Sequence, residues 1–327
     1  MKRFLLAQLS ILLGLFVVAV VMEYMGGLSL YQHIRYGFQT PEKARMSYIN
    51  DQYKPFMEQE LNPFTIFTIP NVSNETVHMK NGFRGPGPEE RGNKKLAFLL
   101  GGSTAFSNFS SSDDTTITAY LNKLQDKYFF VTAGVPSFGT TQELARLINE
   151  ILPFYKPALI VSFAGINDVS HGTFYAHTKY PIGTPESFSD LDKVVEDDKK
   201  GDGRLPRWTL FPQLTRHAKS IYWKFFPRNV VQQLSDDEKP VVAKKIADKY
   251  LINTRMMKTL TESFGGKFLN VLQPIREEDT IYSLLRSSVP KDTLDLTTIP
   301  RELFWDRVHL TDAGNEYVAR KILHAIQ

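Results

Sequence analysis

Short apolar runs alternate with amphipathic stretches along much of the chain. The first run, Leu96–Leu100, has the length of a strand and ends at two glycines, which signal a turn. Similar patterns predict strands at residues 96–100, 129–133, 158–163 and 267–272, and helices at 115–124, 143–152, 240–264 and 312–326. Strands alternating with helices indicate a parallel sheet covered on both faces, that is, an α/β fold of three α/β/α layers. We expect residues 267–272 to be the last strand of that sheet.

The N-terminal segment has a different pattern. After three residues that include Lys2 and Arg3, residues 4–22 form a mostly apolar run of 19 positions, close to the ~20 that span a bilayer. Three interpretations are open: an uncleaved anchor, a cleaved signal peptide or a buried core helix. The residues after the run make a poor cleavage site, and the basic start favours a cytoplasmic N-terminus. We therefore expect one transmembrane helix within residues 1–23, with the remainder of the chain on the extracytoplasmic side.

Two further regions lack a clear period. Residues 24–95 form a juxtamembrane linker and lead-in; their first half is aromatic and basic, which suits a membrane interface or a solvated linker helix equally well. Residues 175–236 are an insert with a charged loop and an aromatic-rich stretch, either a lid or substrate wall, or an ordinary inserted helical piece. We expect residues 96–327, including this insert, to form one domain.

Composition narrows the classes of function. The 327 residues are 42% apolar, enough for a substantial core, and the formal net charge of +4 comes without a dense basic block. We therefore expect no nucleic-acid partner. Cysteine is absent, which excludes disulfides, cysteine-based zinc sites and a cysteine nucleophile but leaves the compartment open.

Polar residues of types that take part in catalysis follow two of the predicted strands and precede the last predicted helix. Ser103 stands after the first strand, Asn167 and Asp168 after the third, and Asp306 and His309 before the last helix. The carboxyl ends of parallel strands meet at one edge of a sheet, so we expect these side chains to share a site. A serine hydroxyl becomes a good nucleophile only beside a base, and a histidine oriented by a carboxylate is the usual one.

The ordered set Gly-Gly-Ser, Gly-Ile-Asn-Asp and Asp-Arg-Val-His-Leu resembles the blocks of the SGNH (GDSL-type) hydrolase family, specifically its membrane-anchored members with Gly-Gly-Ser in block I. The resemblance runs from about Leu96 to the C-terminus, with residues 175–236 unmatched, and implies the three-layer, flavodoxin-like fold. It also implies Ser103 as nucleophile, His309 as base and Asp306 as the acid that orients it. Gly102 stands where the family's GDSL name has an aspartate.

The resemblance further implies an oxyanion hole. Its donors are the backbone N–H of Ser103, the side chain of Asn167 and a backbone N–H in block II, where the family has a glycine. An alignment without gaps places Ser137 at that position, and Gly139, two residues on, is the alternative. Asp168 and Gly139 are further candidates for the surroundings of the site.

Two more sets of residues have competing interpretations. Arg84 lies in a turn-rich lead-in that some membrane-anchored relatives share; it either meets an anionic group of a substrate or braces the fold. His171 and His177 follow block III and are conceivable metal ligands, but no metal-ligand motif accompanies them. We expect neither a metal nor another cofactor.

These observations predict a serine esterase or acyltransferase acting on a small acyl ester, with acetyl on an envelope or extracellular glycan as the expected substrate. Two alternatives stay open. One is an esterase or thioesterase that acts on longer lipid acyl chains. The other is a non-catalytic envelope scaffold or glycan-binding protein with a hydrolase fold, engaged with assembly partners.

Overall fold

The computed structural model of the chain describes most of the predicted domain. The described residues are 48–57, 60–174, 176 and 234–327, together with nine positions between residues 11 and 21. The chain divides into two compact units, residues 49–184 with 234–327, and residues 1–48 with 185–233. Nearly all of the predicted insert lies outside the described residues.

The nine described N-terminal positions are 11, 13–18, 20 and 21; all are helical and exposed. Within the part of the chain that the structure describes, no helix combines the length and the apolar character needed to cross a membrane. Most of the predicted span, residues 4–22, lies outside the described residues, and the anchor therefore stays a prediction.

A seven-stranded sheet forms the centre of the first unit. The strands of the described residues are β1 (Glu60–Asn62), β2 (Ile66–Thr68), β3 (Met79–Lys80), β4 (Phe83–Arg84), β5 (Lys95–Gly101), β6 (Tyr128–Thr132), β7 (Leu159–Ala164), β8 (Lys267–Leu272) and β9 (Leu294–Asp295). Strands β1 and β2 pair as a separate antiparallel hairpin, and the others are ordered β3-β4-β6-β5-β7-β8-β9. The pairs from β6 through β9 are all parallel. The predicted α/β class and its parallel centre are confirmed.

Helices cover both faces of this sheet. They are α1 (Ile117–Leu124), α2 (Thr140–Arg146, continued by a π-helical turn to Ile151), α3 (Ile166–Phe174), α4 (Glu238–Ser263), α5 (Thr280–Ser288) and α6 (Asp312–Ile326). Alternate residues of β5 face opposite layers: Ala97 and Leu99 pack in the cluster that contains α1 and α6, while Phe98 and Leu100 pack in the cluster that contains residues of α2 and α4. Burial on both faces explains why β5 is continuously apolar.

Three details differ from the sequence-based predictions. The sheet is not wholly parallel, because β3 and β4 add an antiparallel hairpin at one edge. Strand β8 is not the last strand, because β9 pairs outside it. The three added strands, β3, β4 and β9, have two residues each and are too short to show an alternating pattern in the sequence. Helix α3, which begins at the Gly-Ile-Asn-Asp motif, was also not predicted.

Candidate active site

Ser103 stands on a tight turn directly after β5. Gly101 adopts φ +145°, and a Cβ there would lie 2.4 Å from the carbonyl oxygen of Phe163. Only glycine fits this conformation beside a neighbouring strand. The chain then curls back, with the N–H of Asn108 donating to the carbonyl of Ser103 at 2.9 Å. The turn therefore presents Ser103 at the carboxyl edge of the sheet.

The structure brings Ser103, His309 and Asp306 into one hydrogen-bonded chain. The hydroxyl oxygen of Ser103 lies 2.8 Å from Nε2 of His309. Nδ1 of the same ring lies 2.7 Å from Oδ2 of Asp306. An ionised Asp306 accepts a hydrogen bond, so the proton of the neutral His309 ring lies on Nδ1. Nε2 then carries no proton and accepts a hydrogen bond from the hydroxyl of Ser103.

The acid and the base are held by one short loop before α6. The backbone N–H groups of Val308 and His309 both donate to Oδ1 of Asp306, each at 2.8 Å. The N–H of Trp305 donates to the carbonyl of His309 at 2.8 Å and closes the loop. Thr311 then caps α6 by accepting from the N–H of Gly314. A four-residue segment thus fixes the position of the carboxylate relative to the imidazole.

The carboxylate of Asp306 remains ionised under ordinary conditions. Partial burial raises its pKa, but the hydrogen bonds and charge of His309 and the two backbone N–H donors outweigh burial and lower the pKa to about 2. A permanent negative charge beside Nδ1 stabilises the imidazolium that forms when His309 accepts a proton.

Asn167 lies close against the turn that carries Ser103. It is the second residue of α3, shortly after β7, and its side-chain Nδ2 donates to the carbonyl of Phe138 at 2.8 Å. A Cβ on Gly102 would lie 2.1 Å from that Nδ2. One amide hydrogen is thereby held by Phe138, which leaves the other for a ligand beside Ser103.

The loop before α2 carries both candidates for the remaining oxyanion donor. The N–H of Gly139 donates to Oε1 of Gln142 at 3.2 Å. Ser137 adopts φ +70°, and among the described residues neither its N–H nor that of Ser103 has an acceptor. An uncommitted N–H is what an oxyanion hole requires, so Ser137 fits the role better than Gly139.

Asp168 stabilises this loop through hydrogen bonds from Thr140. Its Oδ1 accepts from the N–H of Thr140 at 3.1 Å and from the Thr140 hydroxyl at 2.5 Å. Asn253 of α4 donates to the same hydroxyl at 3.0 Å. Burial raises the pKa of Asp168, while the hydrogen bonds from Thr140 oppose that shift. Asp168 thus contacts the first residue of α2, three positions after Ser137.

Arg84 does not reach the site. Its side chain is fully buried, and its guanidinium donates to Asp113 and to the carbonyls of Phe106 and Ser107, each at 2.8 Å. Of the two interpretations offered by the sequence, the structure supports the brace: Arg84 fixes the segment that follows Ser103.

That segment carries an aromatic contact that the sequence analysis missed. The ring of Phe109 meets the His309 ring edge-on, with centroids 4.8 Å apart, and it stacks on Trp305 at 5.8 Å. The Phe109 ring shields one side of the imidazole, and the Trp305 ring packs against Phe109. The backbone of Phe109 has a φ of +68°, and no pattern in the surrounding sequence predicts this conformation.

Of the two histidines that follow the Gly-Ile-Asn-Asp motif, one is described by the structure and one is not. His171 is described; burial lowers its pKa to about 4, which keeps the ring neutral. His177 lies outside the described residues. In the described ranges, no three histidine, cysteine, aspartate or glutamate side chains come together as a metal site.

Comparison with known proteins gives only distant structural likenesses. No model of a protein family matches the sequence, and no curated protein matches it. Solved structures that resemble the chain include an α/β hydrolase enzyme from the metagenome of Lake Arreo, Spain, at 14% identity over 71% of this chain and 94% of that one, with a TM-score of 0.36.

Two further solved structures are similarly distant. An acetylxylan esterase from Geobacillus stearothermophilus is 14% identical over 71% of this chain and 94% of its own, with a TM-score of 0.35. A lipase from a goat rumen metagenome is 13% identical over 71% and 97%, with a TM-score of 0.41. Likenesses at this level carry no argument about activity, which therefore rests on the site itself.

Proposed function

We propose that this chain is a serine esterase, or an acyltransferase that uses the same acyl-enzyme, acting on a small acyl ester. The observation that carries the proposal is the continuous chain of contacts from Asp306 through His309 to the hydroxyl of Ser103. A serine that only caps a turn has no need of an imidazole at 2.8 Å whose other nitrogen is held by an ionised carboxylate.

The proposed reaction has two halves. Nε2 of His309 takes the proton of Ser103 as its oxygen attacks the ester carbonyl, and the N–H groups of Ser103 and Ser137 and the amide of Asn167 receive the negative oxygen. His309 then gives the proton to the departing alcohol, which leaves an acyl-Ser103. In the second half His309 activates water, giving hydrolysis, or a sugar hydroxyl, giving transfer.

The proposed acyl group is acetyl and the proposed carrier an envelope or extracellular glycan. This part rests on the motif resemblance and on the predicted position of the domain outside the membrane. The proposed anchor is supported by the run at residues 4–22, whose described positions are helical and expose eight large apolar side chains. A helix that is apolar on all sides is unfavourable in water and suits a bilayer.

Turnover of p-nitrophenyl acetate by the purified full-length chain tests the esterase proposal. We expect Ser103→Ala and His309→Ala each to lower kcat/KM by at least about 10³, since a triad loses most of its effect when one member is removed. Ser288→Ala, an exposed serine of α5, is the matched control and should leave turnover unchanged. A folded wild-type chain without turnover would favour the scaffold alternative.

The absence of cysteine gives a clean test of the proposed topology. Asp126 has a highly exposed side chain in a turn after α1, so Asp126→Cys introduces the only thiol of the chain. In intact cells, a membrane-impermeant maleimide should label this variant as completely as it does after permeabilisation. Labelling only after permeabilisation would contradict an extracytoplasmic domain.

A further inference from the structure

An exposed groove lies beside the candidate active site at the same edge of the sheet. Its walls are residues 275, 276 and 278, which follow β8, and residues 297–301, which follow β9; we refer to it as the arginine groove. The strands β5, β7, β8 and β9 run parallel, so loops after β8 and β9 emerge on the same edge as Ser103.

The arginine groove is tied to the loop that carries the catalytic acid and base. The N–H of Arg276 donates to the carbonyl of Arg307 at 2.8 Å, and Arg307 lies between Asp306 and His309 in the chain. The N–H of Ile275 reaches the carbonyl of Thr297 at 3.5 Å and links the two walls. A molecule seated in the groove would therefore lie next to the loop that holds the imidazole.

Two guanidinium groups of the groove have no partner among the described residues. The Arg276 and Arg301 side chains are exposed, and neither guanidinium makes a hydrogen bond or ion pair with any described residue. The neighbouring charges are engaged: Glu278 pairs with Arg286 at 3.5 Å and Arg307 with Asp279 at 2.7 Å. The acidic neighbours in sequence, Glu277 and Glu302, do not line the groove.

The size and surface of the groove suit a sugar unit. Its volume is about 530 Å³, within the ordinary range of small-molecule sites. Ile299 and Pro300 offer an apolar surface, and the exposed Thr298 adds a hydroxyl. An apolar patch flanked by two unpaired guanidinium groups matches a ring with one apolar face and a carboxylate substituent, since arginine binds carboxylates through paired N–H donors.

We propose that the arginine groove is a subsite for a carboxylated sugar unit of the glycan whose neighbouring unit carries the ester. The proposal rests on the proposed esterase function and names its substrate class: an acylated acidic glycan. Arg276 and Arg301 hold the carboxylate, while the ring packs on Ile299 and Pro300. The glutamate on the groove wall, Glu278, disfavours groups of higher negative charge such as phosphate.

Binding of a defined acidic trisaccharide tests the subsite without catalysis. The full-length chain with Ser103→Ala is titrated calorimetrically with trigalacturonate, and with neutral cellotriose as the uncharged counterpart. Adding Arg276→Gln and Arg301→Gln should weaken trigalacturonate binding at least about tenfold, because charge-assisted hydrogen bonds are lost. The matched control is Arg91→Gln with Arg255→Gln, two exposed arginines far from the groove in sequence, which should leave binding unchanged.

Three results would overturn the subsite: no binding of trigalacturonate to the intact groove, equal binding of cellotriose, or an equal loss in the control pair. Failure of the esterase function is read separately. The wild-type chain and the Arg91→Gln, Arg255→Gln control, both with Ser103 intact, should turn over the neutral ester p-nitrophenyl acetate at the same kcat. Absence of turnover in the folded wild-type chain would contradict the esterase function, whatever the outcome of the trigalacturonate titration. Turnover by the wild type together with no trigalacturonate binding would contradict the subsite alone.

Discussion

Gly102 and Asn167 approach so closely that no side chain fits between them. A Cβ on Gly102 would lie 2.1 Å from Nδ2 of Asn167 and 3.1 Å from the carbonyl oxygen of Phe138. The amide that forms part of the proposed oxyanion hole thus lies across the backbone just before the nucleophile. This contact gives a physical reason for glycine at position 102.

Gly102→Ala should therefore act on catalysis more than on stability. The added methyl lies 3.1 Å from the carbonyl oxygen of Phe138 and meets the end of the Asn167 side chain, which moves aside, gives up its hydrogen bond to Phe138 and leaves its place as a donor. We expect kcat to fall by about 10²–10³, the usual effect of losing one oxyanion donor. Asn167→Ala should cost as much, and the double variant no more than either alone. Additive losses would contradict a shared mechanism.

Asp306→Asn separates the charge of the acid from the shape of its loop. The asparagine oxygen still accepts from the N–H groups of Val308 and His309, so the loop keeps its form. Its amide nitrogen cannot accept from Nδ1 of His309, and the ring is left in the wrong tautomer. We expect kcat to fall by about 10²–10⁴ with an unchanged melting temperature. Unaltered kcat would exclude Asp306 from the mechanism.

Asp168 offers a test of how firmly the loop at Ser137 must be held. Asp168→Ala removes the acceptor of both Thr140 hydrogen bonds, and the freed loop should lower kcat by up to about 10² with little change in KM. Asp168→Asn keeps one acceptor oxygen and should lose less. Equal effects on kcat and KM, or an equal loss in both variants, would indicate a general structural role instead.

Glu143 of α2 makes stability depend on pH. Complete burial raises its pKa to about 8, against the hydrogen bond from Ser162 at 2.6 Å, compared with an ordinary value of 4.5. The acid is protonated in both states below pH 4.5; above it, the unfolded chain ionises first, so this contribution to stability is lost as pH rises through 8.

Glu143→Gln should remove that dependence. We expect the free energy of unfolding, measured with urea at pH 5 and pH 8.5, to fall less in the variant than in the wild type between these two values. The difference should be on the order of a few kcal/mol. Glu262→Gln, an exposed glutamate at the end of α4, is the control and should follow the wild type. Parallel behaviour of all three proteins would mean that Glu143 is ionised in the fold.

The sequence predicts what depends on local pattern. The long strands β5, β6, β7 and β8 were all expected within one residue of their observed bounds, because each is a continuous apolar run ended by a turn. The convergence of Ser103 and Asn167 follows from the parallel arrangement, which places the ends of β5 and β7 side by side.

The features of the site that the sequence does not predict depend on packing between residues far apart in the chain. The contact of Arg84 with Asp113 joins residues 29 apart, and nothing in the local pattern distinguishes a buried arginine from an exposed one. The contact of Phe109 with His309 likewise depends on how two loops meet. The choice between Ser137 and Gly139 depends on one hydrogen bond to Gln142, which only coordinates reveal.

The most direct test of the central claim is the site of covalent labelling by a fluorophosphonate, which modifies serines activated as nucleophiles. Intact mass and peptide mapping of the full-length chain should show one phosphonyl group per molecule, attached to Ser103. Labelling should vanish in Ser103→Ala and fall sharply in His309→Ala. A folded chain that stays unlabelled, or a label on another serine that persists in Ser103→Ala, would contradict the proposed nucleophile.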